Sequence, residues 1–500
     1  MKTALFVLFL AVQLWADVRL PALISDNMVL QQQRPVRIWG KATVGETVTV
    51  SMAGQKVEGH ANEDGQWQVF LAPMLAGGPF EMTIQGGNTL TIRNVLVGEV
   101  WVASGQSNMA WTLKNSKGSD EEIPRANHPQ IRFFHVKTRS LEQPADDVED
   151  ATWKVINPDT AGAVSGVGYF FAKHLHQMRG VPIGILQSAV GGTPAQAWTS
   201  RETMLDNPAL QWYVERWQKF EAAYPEAKGK YEARLAEWQK EVEAAKVAGK
   251  TPPVRPNPPP GAPGHVHTPT GLYNGMIAPL LPYAIRGAIW YQGEANAGPT
   301  DNELYRTLFA EMIQDWRRNW GQGPFPFLWV QLASYGRPAP GTWPVLRDSQ
   351  TATLSLVNTG QALAIDVGES TDIHPRDKTT VGNRLALAAR AVAYGERIVH
   401  SGPVFRQVTT ESGKLRVWFD HTGTGLASRD GGALTGFRIA GSDGSFYKAE
   451  AHVEGNTVVL ARPLVKNPEQ VRYAWENDPA ANLVNREGLP ATPFRTDRWQ

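Results

Sequence analysis

Ser107 lies at a position in the sequence that is typical of a nucleophilic serine. Residues 100–103 form a continuous apolar run, typical of a strand buried on both faces of a parallel sheet, and GQSN follows at 105–108. A serine just past the carboxyl end of such a strand lies where open α/β sheets bind ligands. A helix starting there would direct free N–H groups at the group attacked. We interpret Ser107 as a nucleophile; the alternative is that GQSN is only a strand-to-helix turn.

The residues after Ser107 exclude two common serine motifs. The nucleophile elbow requires G-x-S-x-G, and Met109 stands at the position of its second glycine. The S-x-x-K motif requires a lysine where this chain has Ala110. Any serine chemistry here therefore belongs to another class.

A serine hydroxyl needs a base, and His374 is the candidate among eleven histidines. It follows a predicted buried strand at residues 362–367, so we expect it at the same sheet edge as Ser107. Asp372 lies two residues before it and could hold the imidazole tautomer. The alternative is that Asp372 caps a helix or turn.

Metal chemistry has little support in the sequence. His265 and His267 form an H-x-H pair, but it lies in a proline-rich stretch without HExxH or cysteine ligands. We interpret the pair as part of an ordinary loop and expect no metal and no cofactor.

Composition and the N-terminus limit the partners and the location. The formal net charge of +1 offers no basic field for nucleic acid. Residues 1–16 combine a lysine with a short apolar stretch, which predicts a cleaved signal peptide and a secreted or periplasmic protein. This apolar stretch is too short to span a membrane, and the sequence has no second long apolar stretch. No oligomeric state follows from the sequence.

The hydrophobic pattern divides the chain into three parts after the signal peptide. Short alternating runs between turns predict a β-sandwich-like domain at residues 17–95. Alternating strand and helix patterns predict an α/β domain with a parallel sheet at residues 96–400. A second β region is predicted at residues 401–500, forming its own sandwich or completing the first one.

An insertion interrupts the middle domain at residues 205–264. Aromatic residues recur at helical spacing from Tyr213 to Tyr224 and again from Tyr231 onward, with Pro225 between them. We predict two amphipathic helices, followed by a stiff proline-rich linker at residues 251–264. They could form a lid, a dimer surface or a solvated arm.

Several long motifs resemble those of one enzyme family, in the expected order. They are GEVWVASGQSNM (98–109), SAVGGTPAQAW (188–198), TGLYNGMIAPL (270–280), WYQGEANA (290–297), DIHP (372–375) and GLPATPFRT (488–496). The chain resembles the sialate O-acetylesterase family of SGNH hydrolases. This resemblance implies a three-layer SGNH domain with a central parallel sheet, flanked by β-sandwich-like regions.

The resemblance also implies roles for individual residues. Ser107 matches the nucleophile and His374 the general base. The N–H of Ser107, an N–H of Gly191 or Gly192, and the Gln292 amide match the oxyanion hole.

The third member of the triad is less directly matched. The broad family pattern places aspartate three residues before histidine, whereas Asp372 lies two before it. Glu369 or a backbone carbonyl is the alternative orienting group. Glu294 is expected to bind substrate or brace its loop. Arg347 is a candidate for contacting a sugar carboxylate, with a core ion pair as the alternative.

The expected activity is removal of O-acetyl groups from carbohydrate, most typically sialic acid, through an acetyl-enzyme on Ser107. Acetylated xylan or another plant polysaccharide is the alternative substrate. A non-catalytic glycan-binding protein is the alternative of a different class.

Overall fold

The computed structural model describes residues 17–337, 339 and 341–497 of the chain. The predicted signal peptide at residues 1–16 lies outside the described residues. Six short strands open the structure: β1 (Val29–Gln31), β2 (Val36–Lys41), β3 (Thr47–Met52), β4 (Gln55–His60), β5 (Gln66–Leu71) and β6 (Gly77–Gln85). They pair antiparallel except β1, which runs parallel to the seventh strand, Thr89–Gly105.

One long strand, β7 (Thr89–Gly105), joins this region to the central sheet. Its first half pairs antiparallel with β6, and its second half becomes the middle of the parallel sheet. It therefore runs through residues 95 and 96, where we predicted a domain boundary. The boundaries stay a prediction.

The central sheet surrounds the carboxyl half of β7. Its other strands are β8 (His128–His135), β9 (Trp153–Ile156), β10 (Ile183–Ala189), β11 (Gly287–Tyr291), β12 (Phe327–Gln331) and β13 (Thr359–Leu363). The order across the sheet is β13-β12-β11-β7-β10-β8-β9, and all pairs are parallel except β8 with β9. Strand β7 thus ends between the ends of β10 and β11.

Helices connect the strands and cover the sheet. They are α1 (Ser107–Ala110), α2 (Ser119–Arg125), α3 (Pro158–Ala161), α4 (Gly166–Arg179), α5 (Arg201–Asp206), α6 (Pro208–Val247), α7 (Asp301–Trp320), α8 (Thr342–Ala352) and α9 (Lys378–Val392). Short 3₁₀ or π turns lie at Leu113–Asn115, Ala195–Trp198, Tyr273–Ile277, Ala278–Leu280, Glu294–Asn296 and Thr353–Ser355.

The alternation of β7 side chains shows why the sheet is buried on both faces. Trp101 and Ala103 pack in the core shared with α4 and α9, whereas Val100 and Val102 pack in the core shared with α7. Full burial of a large apolar side chain contributes roughly 1.5–3 kcal/mol. The register of this strand is therefore fixed from both sides, and so is the position of the residues that follow it.

The C-terminal region folds around a core of its own. Its strands are β14 (Val404–Glu411), β15 (Lys414–Asp420), β16 (Leu426–Ser428), β17 (Phe437–Ala440), β18 (Tyr447–Lys448), β19 (Glu450–Glu454), β20 (Thr457–Ala461), β21 (Gln470–Tyr473), β22 (Leu483–Asn485) and β23 (Phe494–Arg495). They form antiparallel sheets whose buried residues make a separate cluster. The predicted α/β class, with a central mostly parallel sheet and flanking antiparallel sheets, is confirmed.

The prediction of two helices in the insertion is wrong, because α6 is one helix of 40 residues that contains Pro225. The step from Tyr224 to Tyr231 is seven residues, so the two aromatic runs share one phase and one stripe. The proline-rich segment packs along that stripe: the Trp238 indole donates to the Pro253 carbonyl at 2.8 Å. The insertion is an arm whose apolar face is covered by its own linker. Within the described residues, no helix is long and apolar enough to cross a membrane.

Candidate active site

Ser107 is the first residue of α1 and lies immediately beyond the end of β7. Gly105 makes this turn possible: its φ is +132°, and a Cβ there would lie 2.2 Å from the Tyr291 carbonyl oxygen. The backbone N–H of Gln106 donates to that same carbonyl at 2.9 Å. The serine is thereby fixed at the carboxyl edge of the sheet, beside the end of β11.

The structure brings His374 to Ser107 from 267 residues away. His374 lies in the loop between β13 and α9, and its Nε2 is 2.8 Å from Ser107 Oγ. Trp111, one turn after the serine, stacks on the imidazole with ring centroids 5.0 Å apart and planes 18° apart. Sequence reasoning missed Trp111, although its position one turn after Ser107 was a usable signal.

Asp372 is also near His374, but it contacts the backbone more closely than the ring. Its Oδ1 accepts the His374 backbone N–H at 2.9 Å and lies 3.5 Å from Nδ1. The side chain is half exposed, at 50%. Glu369, the alternative orienting group, accepts the backbone N–H of Arg376 at 3.0 Å. Asp372 therefore mainly shapes the loop. Its contact with the imidazole is longer, at 3.5 Å, and is exposed to solvent.

We expect Asp372→Ala to lower kcat by about tenfold or less. A buried, directly bonded triad aspartate supports catalysis by roughly 10⁴-fold, and a half-exposed carboxylate at this distance supplies far less. Because Asp372 raises the pKa of His374, its removal should also move the acidic midpoint of the pH–rate profile to lower pH. Steady-state kinetics on p-nitrophenyl acetate across pH measure both effects. A loss of 10³-fold or more would contradict this assignment.

The environment of His374 favours its neutral form. Burial is the largest influence that lowers its pKa, and the nearby positive charge of Lys378 lowers the pKa further. The negative charge of Asp372 opposes both, and the net pKa lies below the ordinary value. A neutral imidazole with Nε2 facing a hydroxyl can accept its proton.

A buried network behind the pair holds the serine turn to the histidine loop. Asn108 Nδ2 donates to Glu294 Oε1 at 2.7 Å and to the Ile373 carbonyl at 3.0 Å. Lys378 Nζ donates to Asn108 Oδ1 at 2.6 Å. Asn108 therefore ties the residue after Ser107 to the residue before His374. This contact of Glu294 fits one of the two roles that the sequence analysis considered for it, bracing of its loop.

The charges in this network are strongly perturbed by burial. Burial lowers the pKa of Lys378 to about 7, and burial raises the pKa of Glu294. Lys378 Nζ also lies 5.6 Å from the centre of the Trp111 ring. Sequence analysis assigned no role to Asn108, which lies within GQSN, and it missed Lys378 because a buried lysine at the start of α9 resembles a surface residue in the hydrophobic pattern.

Of the two predicted oxyanion glycines, Gly191 lies beside the serine. A Cβ on Gly191 would be 3.5 Å from Ser107 Cβ, whereas a Cβ on Gly192 would contact nothing within 4 Å. Gly192 adopts a φ of +71°. The glycine pair thus forms an exposed turn next to Ser107, with Gly191 as the nearer residue.

The structure does not place Gln292 as an oxyanion donor. Its side chain is fully buried, and Nε2 donates to the Thr193 carbonyl at 3.2 Å and to Asn296 Oδ1 at 2.7 Å. Its Oε1 accepts the Tyr305 hydroxyl at 2.9 Å. A buried amide is held by partners that satisfy its groups, and here they lie within the protein. The sequence position located the residue but not the direction of its side chain.

Arg347 is likewise removed from any substrate. It is fully buried, and its guanidinium donates to the carbonyls of Leu332, Ala333, Glu476 and Asn477. The predicted contact with a sugar carboxylate is therefore wrong. Arg347 instead joins the central domain to the C-terminal region through backbone oxygens.

The H-x-H pair does not form part of a larger ligand cluster. The rings of His265 and His267 pack edge to face with centroids 4.9 Å apart, and His265 also packs on Trp217. Among the residues that the structure describes, no group of three or more histidine, cysteine, aspartate or glutamate side chains could hold a metal ion.

Comparison with known proteins gives consistent matches. The family model described as carbohydrate esterase, sialic acid-specific acetylesterase, matches residues 97–238 and 265–391. The sialate O-acetylesterase of Mus musculus is 33% identical over 448 residues, covering 80% of this chain and 79% of the relative. The sialate O-acetylesterase of Homo sapiens is 32% identical over 443 residues, covering 79% and 76%.

A solved structure matches almost the whole chain. The crystal structure of a carbohydrate acetylesterase from Xanthomonas citri superposes with a TM-score of 0.83 at 40% sequence identity. The match covers 97% of this chain and 100% of that one. The flanking β regions are therefore included in the similarity, as well as the central domain.

Proposed function

Because the chain belongs to the carbohydrate esterase family of sialic acid-specific acetylesterases, we propose that it is a serine esterase that removes O-acetyl groups from carbohydrate, with O-acetylated sialic acid as substrate. The observation that carries this proposal is the 2.8 Å contact between Ser107 Oγ and His374 Nε2. We assign residues 96–400 to an SGNH hydrolase domain with three layers, between β regions at 17–95 and 401–500.

The proposed reaction proceeds through an acetyl-enzyme. Ser107 Oγ attacks the acetyl carbonyl carbon while His374 Nε2 takes the hydroxyl proton. The N–H groups of Ser107 and Gly191 receive the developing oxyanion, and Ser107 stands at a helix start, where N–H groups have no partner within the helix. His374 then returns the proton to the departing sugar oxygen. Water, deprotonated by the same imidazole, releases acetate and restores Ser107.

The pH dependence follows from the state of His374. Only the neutral imidazole can take the serine proton, so activity should fall as pH drops through the pKa of His374. Burial and Lys378 lower this pKa, so the acidic midpoint of kcat/KM should lie below about 6.5. The rate of p-nitrophenyl acetate hydrolysis between pH 4.5 and 8 measures it. A midpoint above pH 7 would contradict the assignment of His374 as a buried base.

The sugar is tested by comparing two acetylated substrates. The solved structure whose match covers 97% of this chain is named only as a carbohydrate acetylesterase, so acetylated xylan or another plant polysaccharide stays the second candidate. Acetate release from O-acetyl sialic acid and from acetylated xylan, measured at equal acetyl concentrations, separates the two. We expect the higher kcat/KM on O-acetyl sialic acid. The reverse ranking would move the substrate to plant polysaccharide while leaving the esterase assignment in place.

We also propose that the protein is exported, on the evidence of the N-terminal sequence alone. Cleavage after residue 16 would release the mature chain into the periplasm or the medium. Fractionation with an immunoblot tests this, and an uncleaved cytosolic product would refute it.

A further inference from the structure

A cleft of about 1000 Å³ opens between the segment that follows the nucleophile and the loop that carries the base. Residues of both segments line it, among them Trp111, Lys114, Lys117, Glu369 and Arg376. We call it the loop cleft. Its volume lies at the upper end of small-molecule pockets, roughly 300–1,000 Å³, and accommodates a sugar residue together with water.

The loop cleft reaches the reacting pair through Trp111. The indole lines the cleft and also stacks on the His374 imidazole, with ring centroids 5.0 Å apart. The imidazole in turn contacts Ser107 Oγ at 2.8 Å, and 27% of the His374 side chain is exposed to solvent. The cleft therefore begins one aromatic ring away from the base, and a sugar whose acetyl group lies at Ser107 can extend over that ring into it.

Backbone hydrogen bonds join the two walls of the loop cleft. The Lys117 N–H donates to the carbonyl of Arg376, two residues after His374, at 2.8 Å. The Arg376 N–H donates to Glu369 Oε1 at 3.0 Å. The bonds that hold the His374 loop therefore also set the position of Lys117 beside it.

The acidic side chains of the loop cleft are mostly engaged within the protein. Asp366 accepts from the Arg384 guanidinium at 2.6 and 2.8 Å, and Asp377 is the N-cap of α9. Glu369 accepts the backbone N–H described above. Asp120 lies in the first turn of α2, where the helix dipole stabilises a negative charge. These carboxylates therefore leave little negative charge to repel an anion from the cleft.

The basic side chains of the loop cleft are held much less. Among the residues that the structure describes, the ammonium groups of Lys114 and Lys117 form no hydrogen bond and no ion pair, and both side chains are exposed. The Arg376 Nε lies 3.9 Å from Glu369 Oε1, in a side chain that is 66% exposed. The cleft therefore offers positive charge to a molecule bound at the reacting pair.

We propose that the loop cleft is the subsite for the carboxylate of O-acetylated sialic acid, which Lys114 and Lys117 hold while the acetyl group lies at Ser107. This inference rests on the proposed function and deepens it. Sialic acid carries a carboxylate, whereas the xylose units of acetylated xylan are neutral, so the subsite selects the acidic sugar. The two lysines take the role that the sequence suggested for Arg347, which is buried.

The test measures the preference for an O-acetylated sialic acid over its carboxamide, in which a neutral amide replaces the carboxylate. The unaltered protein should release acetate from the acid with a kcat/KM about threefold to tenfold higher, the scale of two exposed ion pairs. In the double variant Lys114→Gln/Lys117→Gln, this ratio should fall to about one. In about 0.5 M NaCl the ratio of the unaltered protein should also fall, because salt screens exposed charges.

The matched control is the double variant Lys56→Gln/Lys154→Gln. It removes the same charge from exposed positions in β4 and β9, outside the lining of the loop cleft. The control should keep the preference of the unaltered protein. If it lost that preference as well, general attraction by the charge of the protein would explain the effect, and the subsite would be overturned.

The outcomes separate this subsite from the proposed function. Equal kcat/KM on the acid and the amide in the unaltered protein would overturn the subsite alone, because acetate release would still support the esterase. A Lys114→Gln/Lys117→Gln protein that kept the full preference would overturn it too. The ratio compares two substrates on one protein, so a partly unfolded variant would leave it unchanged. If neither substrate released acetate, the assignment of sialic acid as substrate and the subsite would both fall.

Discussion

Replacing Ser107 with alanine should lower kcat for p-nitrophenyl acetate by about 10⁵–10⁶-fold, which is the scale seen when a serine hydrolase loses its nucleophile. The hydroxyl is the atom that would form the acetyl-enzyme, and no neighbouring side chain can replace it: Gln106 and Asn108 carry amides, both held in the loop network. The remaining rate would reflect binding and the oxyanion donors alone.

The matched control for this variant is Ser104→Ala. Ser104 lies three residues earlier in β7, and its hydroxyl is buried without a hydrogen-bond partner, so its removal should leave both folding and activity nearly unchanged. Thermal unfolding of Ser107→Ala should also stay close to that of the unaltered protein, because only one hydrogen bond is lost. A folded Ser107→Ala protein that retained a tenth of the activity would end the proposed mechanism.

Labelling gives an independent result for the same residue. A serine-directed phosphonate should modify the unaltered protein and Ser104→Ala, and it should leave Ser107→Ala unmodified. Absence of labelling in all three proteins, together with absence of ester hydrolysis, would favour the non-catalytic glycan-binding alternative. Labelling that persisted in Ser107→Ala would instead place the nucleophile elsewhere.

The sequence predicted the two reacting groups because each follows a pattern that the sheet dictates. A run buried on both faces is typical of a strand in a parallel sheet, and the carboxyl ends of parallel strands share one edge. Ser107 directly follows β7 in the middle of the sheet, and His374 lies in the loop after β13 at its edge, so the sheet brings both to the same side. Gly105 completes this account, since only a glycine lets the strand end approach the Tyr291 carbonyl.

Side-chain direction and long-range hydrogen bonding could not be predicted in the same way. Gln292 lies at the expected strand end, yet its amide is turned into the protein by Thr193, Asn296 and Tyr305. These partners lie up to 99 residues away. The burial of Lys378 has the same origin, because its environment is formed by Asn108 and Trp111 from the other end of the domain.

In helix α6 of the arm, the apolar pattern of the whole segment outweighs the helix-breaking effect of one proline. Proline ordinarily breaks a helix because it lacks an N–H and clashes with the preceding turn. The apolar stripe nevertheless keeps its phase across Pro225. The proline-rich segment packs on this stripe both before and after Pro225: Gly261 approaches the Phe220 carbonyl, and the Pro253 carbonyl accepts a hydrogen bond from the Trp238 indole. Tertiary packing over the whole stripe outweighs one lost hydrogen bond.

Replacing His374 with alanine should lower kcat by about 10⁴–10⁶-fold, because the serine hydroxyl then has no base and the leaving sugar oxygen has no acid. Burial lowers the pKa of the nearby Lys378 to about 7, but its Nζ is held by Asn108 Oδ1. The variant should therefore lose the acidic midpoint of the pH–rate profile together with its activity.

The control for this variant is His60→Ala, an exposed histidine in β4, which should keep full activity and the normal profile. Added imidazole should restore part of the activity of His374→Ala, since Trp111 provides a ring face on which a free imidazole can stack as the side chain does. Phosphonate labelling of Ser107 should slow in parallel with kcat, because both reactions need the serine proton removed. If His374→Ala kept its pH profile and labelled at the normal rate, the proton acceptor would have to be another residue, and the 2.8 Å contact would be structural.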